Sequence, residues 1–106
     1  MPIQITQEVI TELENKIAGL IRFMSDSVYD PEPYYLHIEE GYKDTFRPSC
    51  YSKEKHDILD SDIPLIDLLD FNNFLMDPRQ PDYVPDTDAI HDAVISFLEY
   101  YETSNS

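Results

Sequence analysis

The chain has 106 residues, 42% of them hydrophobic, and carries 22 Asp and Glu against 7 Lys and Arg for a formal net charge of −15. That length holds one hydrophobic core, and the apolar content is too high for a disordered chain, so a single folded domain over residues 1–106 is expected. The charge disfavours direct binding of nucleic acid, which draws on clustered cations, and no run of about 18 apolar residues signals a membrane span.

The negative charge is unevenly spread. From Asp57 to Glu102 twelve Asp and Glu face one base, Arg79. Such a surface repels itself, so a role for it is expected beyond solubility, which a modest acidic balance would already supply. The partner that an acidic face fits is a basic protein surface. Cys50 is the only cysteine, which excludes an internal disulfide and a thiolate zinc site and suits a reducing compartment. The opening "MPIQITQEVI" lacks the basic and apolar regions of a secretion signal, so the cytoplasm is expected.

The first helix is predicted from about Gln7 to Met24, with Thr6 as N-cap. Val9, Leu13, Ile17, Leu20 and Met24, flanked by Ile10 and Ile21, recur at spacings of three and four and form a core stripe, opposite Glu12, Asn15 and Arg22. Between Ser25 and Lys55 the pattern weakens. "SDSVYDPEPYY" reads as a loop holding Tyr34 and Tyr35, and "LHIEEGYKDTFR" as a short irregular helix, with a hairpin around Gly41 as the alternative.

A third segment, "DSDIPLIDLLDFNNFLMD", reads as a helix starting at Ser61 or Asp62, with Pro64 in its first turn. It is apolar around most of its circumference, as the central helix of a bundle would be, and its polar stripe is Asp67, Asp70, Asn73 and Asp77 with Phe74 at the edge. "PRQPDYVP" breaks the chain before a last helix capped by Asp86 or Thr87. There Ile90, Ala93, Val94, Phe97 and Tyr101 fall on one side, with Asp88, Asp92 and Glu99 nearly opposite and Ile95 among the acids. The predicted fold is mainly α: a small antiparallel bundle of three long or medium helices plus a short irregular central segment.

Catalysis by a carboxylate pair needs one partner desolvated, and no such pocket is evident from the sequence. Cys50 and His56 read as an inert thiol and a surface imidazole. "DSD" at 60–62 and "DTD" at 86–88 lack the Gly and distal Glu of a calcium loop and are explained by helix capping, and "HIEEG" lacks the second His of a zinc helix. No enzyme, metal or cofactor is expected. Rigid aromatics beside acids do suggest a binding surface. Asp67, Asp70, Asp77, Asp88, Asp92 and Glu99 would steer a cationic partner, and Tyr34, Tyr35, Phe74, Tyr83 and Ile95 would anchor it.

Over Tyr83 to Leu98, "YVPDTDAIHDAVISFL", the chain resembles the last helix of the colicin D type immunity proteins. The matching residues are Tyr83, the acidic turn at Asp86, Ile90, Val94, Ser96 and Leu98. The tyrosine pair in an acidic, Pro-bearing loop is similar, more loosely, to the recognition helix of the DNase-colicin immunity proteins. The resemblance implies a small acidic cytoplasmic helical bundle that inhibits a nuclease toxin by covering its basic active site, with carboxylates in place of substrate phosphates. The alternative is a phage-encoded acidic DNA mimic directed at a host or defence nucleic-acid-binding protein.

Overall fold

The computed structural model describes residues 4–23, 34–52, 54, 57–69 and 85–105. Within them helix α1 spans Gln7–Phe23, strands β1 and β2 span Tyr34–Glu40 and Phe46–Ser52, and a two-residue strand β3 is Ile63–Pro64. A 3₁₀ turn follows at Leu65–Leu68, and helix α2 spans Thr87–Asn105. The strands form one antiparallel sheet in the order β2-β1-β3. Among the described residues the architecture is therefore α+β, two long helices with a three-stranded sheet, and corrects the three-helix bundle expected from the sequence.

Both helices start as their sequences dictate. The Thr6 hydroxyl accepts the Val9 N–H at 3.3 Å, and an Asp86 carboxylate oxygen accepts the Ala89 N–H at 3.1 Å, so each N-cap satisfies a donor that has no partner within the helix. Each helix then buries one stripe: Leu13, Ile17 and Ile21 from α1, and Ile90, Ala93, Val94, Phe97, Leu98 and Tyr101 from α2. Leu36 and Ile38 of β1, Phe46 of β2, and Leu65, Leu68 and Leu69 complete the same core.

The central segment is a hairpin, so the favoured short helix gives way to the alternative. Tyr34 to Glu40 pairs with Phe46 to Ser52 in unbroken register, from Tyr34 opposite Ser52 to Glu40 opposite Phe46. Strand alternation sends Leu36 and Ile38 inward and His37 and Glu39 outward. The reversal needs left-handed backbone, which Lys43 and Asp44 both adopt at φ 58°, and it is held by the Thr45 hydroxyl donating to the Tyr42 carbonyl at 2.7 Å. Pro48 cannot donate to a ladder, and β2 tolerates it because it lies at the sheet's edge.

The third predicted helix is also corrected where it is described. Pro64 disfavours helical backbone at the residue before it, and Ile63 instead pairs with Leu36 as strand. The 3₁₀ turn ends at Leu69, whose φ of −94° and ψ of 139° are extended. Asp62 does not cap a helix: its carboxylate accepts the Leu59 N–H at 3.1 Å and shares a 3.0 Å hydrogen bond with His37 Nδ1.

Phe46 joins the layers. Its ring meets Phe97 at 5.3 Å and Tyr101 at 5.1 Å, both edge to face, and the Tyr101 hydroxyl donates to Glu40 at the end of β1. The 3₁₀ turn is hooked to the start of α2 by the Asp86 N–H donating to the Leu68 carbonyl at 3.2 Å. The outer face of the sheet carries His37, Ser49 and Tyr51, and the loop from Asp57 to Asp62 is tied to it through the His37–Asp62 bond and the Tyr51 hydroxyl on the Asp57 carbonyl.

Candidate partner interface

Helical geometry at about 100° per residue puts Asp88, Asp92, Ile95, Glu99 and Glu102 in one row along α2, about 21 Å from end to end at 1.5 Å per residue. The four acids are exposed, and Ile95 is half-buried between them. No Lys or Arg occurs anywhere in Thr87–Asn105. None of the four carboxylates makes an ion pair with a described residue. Glu102 was not among the residues selected from the sequence, although its position three residues after Glu99 places it on the same stripe.

The remaining expected residues are not all in this row. Asp67 is exposed on the 3₁₀ turn, which packs against α2. Asp70, Phe74, Asp77 and Tyr83 lie outside the described residues. Tyr34 and Tyr35 begin β1 rather than sitting in a loop, and consecutive strand residues point to opposite faces. Tyr34 packs against the core, while Tyr35 pairs with Tyr51 and Pro64. The two rings therefore do not form one aromatic anchor.

Where α2 turns toward α1, His91 Nδ1 and Glu14 Oε1 share a 3.0 Å hydrogen bond. The Glu14 carboxylate raises the His91 pKa above its ordinary value, and the charges of Asp92 and Asp88 add to the effect. On β1, the Arg47 guanidinium donates to Glu39 at 2.9 Å and holds that carboxyl below its ordinary range. Burial pushes the Cys50 thiol up to about 12, which makes it an inert filler.

A second feature lies on the outer face of the sheet, where His37, Ser49, Tyr51, Asp57 and Leu59 line a cavity of about 540 Å³. Asp62, with its side chain fully buried, orients the His37 ring, and the other ring nitrogen lies 3.7 Å from Glu39. No hydrogen bond connects Ser49 to the imidazole, so the His–Asp pair does not activate that hydroxyl. The pair acts as a pin for the loop. Among the described residues no group of His, Cys, Asp and Glu is arranged to hold a metal ion, and no helix is long and apolar enough to cross a membrane.

Compared with family models, curated proteins and solved structures, the chain matches none.

Proposed function

We propose that the chain is a non-enzymatic inhibitor, an immunity-type protein of the cytoplasm that covers the cationic active site of a nuclease toxin with the outer face of α2. The supporting observation is the row Asp88, Asp92, Glu99 and Glu102, exposed and without a Lys or Arg on the whole helix. Maintaining it costs stability through like-charge repulsion, which a partner of opposite sign relieves. Carboxylates there attract a basic surface over a Debye length of about 8 Å at physiological salt and speed encounter, while Ile95 between them slows release once seated. The resemblance of residues 83–98 to the colicin D type immunity proteins points to the same class of partner.

The test is capture from the native host with the full chain and with an Asp88→Lys/Asp92→Lys variant. The expected partner is a basic protein that acts on nucleic acid, is held by the wild type and lost by the variant, and is silenced by one equivalent of the chain. Its association rate should fall as salt rises, and the variant should flatten that dependence. Equal capture by both chains, or an acidic partner, would overturn the reading. A captured DNA-binding protein with no nuclease activity would instead favour the DNA-mimic alternative.

A further inference from the structure

Two adjacent tyrosines near the end of α2 have opposite surroundings. Tyr101 is buried against Phe46 and Phe97, whereas Tyr100, about 100° around the helix from it, is 57% exposed. Of the exposed large hydrophobic residues described, it is the one on α2. Tyr100 lies about 40° from Ser96, about 80° from Asp92 and about 100° from Glu99, at the border of the acidic row. Helical side chains lean toward the N-terminus, which carries its ring over the turn of Ser96, a small exposed residue that cannot cover it. The ring makes no hydrogen bond or aromatic contact with a described residue, so nothing is broken when a partner meets it. This end of the helix is also electrostatically unbalanced. Glu102 sits in the last turn, where free carbonyls already concentrate negative charge and a Lys or Arg is the usual complement, and that turn has no base.

We infer that Tyr100 anchors an arginine side chain of the basic protein that the acidic row attracts. The anchor belongs to the surface proposed above to cover a nuclease toxin, and rests on that reading. Acids alone specify only the sign of the partner, because carboxylates attract an ammonium and a guanidinium alike. An aromatic face separates the two. A guanidinium is planar and weakly hydrated, so it stacks on the ring while its N–H groups donate to a carboxylate, whereas an ammonium holds its water more strongly. An apolar partner residue would gain from the ring but would desolvate Glu99 and Glu102 without compensation. Tyr100 also supplies what Ile95 does not. It stands clear of the helix, and an exposed tyrosine gives a large contact area with few torsions to freeze.

The experiment titrates the full chain at low salt, followed by NMR of backbone amides and tyrosine ring protons. Its probes are acetyl-Arg-Gly-Arg-Gly-Arg-amide, the lysine counterpart, and the citrulline counterpart, which keeps the planar group without the charge. The arginine peptide should give saturable shifts in the roughly millimolar range that include the Tyr100 ring and the amides from Asp92 to Thr103. The lysine peptide should bind about two- to fivefold more weakly, and the citrulline peptide should not saturate. Tyr100→Ala should bring the arginine peptide down to the level of the lysine peptide, and Tyr100→Phe should keep the preference because the ring remains. Asp88→Lys/Asp92→Lys should weaken both cationic peptides alike, which separates steering from anchoring. Both Tyr100 variants should melt near the wild type, since the side chain is exposed. Equal binding of the arginine and lysine peptides, or an arginine preference that survives Tyr100→Ala, would overturn the inference and leave the acidic row as a steering surface. Failure of both cationic peptides to bind on α2 would remove the function proposed for the row, and the anchor with it.

Discussion

α1 and α2 each lay an apolar stripe into the same core, Leu13, Ile17 and Ile21 from one and Ile90, Val94 and Phe97 from the other. Their outer faces differ. α1 balances Glu12 with Lys16 one turn later at 3.1 Å, whereas α2 offers Asp88, Asp92 and Glu99 with no base on the helix. Burial accounts for both inner faces, and an ordinary solvated face accounts for the outside of α1. The outside of α2 goes beyond both, since spacing like charges a turn apart weakens a helix. That difference is why α2, and not α1, carries the proposed interface.

The largest test separates the inner faces from the outer ones. Phe46→Ala removes the ring that holds Phe97 and Tyr101, and should cost about 3–5 kcal/mol by urea unfolding. Glu99→Ala on the outer row should stay within about 0.5 kcal/mol. Comparable losses from the two would mean that the row is part of the packing and not a free surface. Next in size is Asp62→Ala on the far side of the sheet. It leaves the Leu59 N–H without its acceptor and His37 without its buried partner, and should cost about 1–3 kcal/mol. A value near zero would show that the loop is not pinned through Asp62.

The two helices were legible in the sequence because their signals are local. Thr6 and Asp86 mark the starts, and apolar spacings of three and four mark the buried faces, so the row on α2 could be read before any packing was known. The sheet was legible only in part, as the less favoured hairpin around Gly41. β1 shows only Leu36 and Ile38 as an inward alternation, and β2 carries Pro48, which argues against a strand until its edge position is known. "IPLI" at 63–66 fits either a buried helix or a strand by periodicity, and pairing of Ile63 with Leu36, 27 positions away by number, decides it. Asp62 looked like a cap because capping is its commonest local role.

Charge reversal sharpens the comparison between the helices at a smaller scale. Asp92→Lys places a cation four residues after Asp88 and reduces the surplus negative charge, so it should stabilise by about 0.3–0.5 kcal/mol. Glu12→Lys sets two cations four apart with Lys16 and should destabilise by a similar amount. The expected result is opposite signs for the same chemical change, measured as shifts in urea midpoint at low salt and shrinking as salt is added. Equal signs would mean that the acids of α2 are balanced by cations elsewhere in the fold, and the case for an unpartnered row would fail.

The subtlest consequence concerns His91, the one residue of α2 able to become a cation near neutral pH. Its bond to Glu14 joins the two helices, and that carboxylate, with Asp92 and Asp88, raises its pKa in the folded chain. A raised folded pKa means that the folded state binds the proton more tightly than the unfolded state does. The contribution to stability is therefore complete below about pH 6.5, the unfolded value, and is lost as pH rises through the raised folded value. Urea midpoints should fall across that window in the wild type, and His91→Gln should remove that part of the fall. Glu14→Gln should bring the His91 titration, followed through its ring protons, back toward the ordinary value, because Glu14 is the largest cause of the rise. A wild-type His91 titrating at or below about 6.5 would mean that the Glu14 bond does not hold the imidazolium in the folded chain, and that the contact between the two helices adds nothing to stability through this proton.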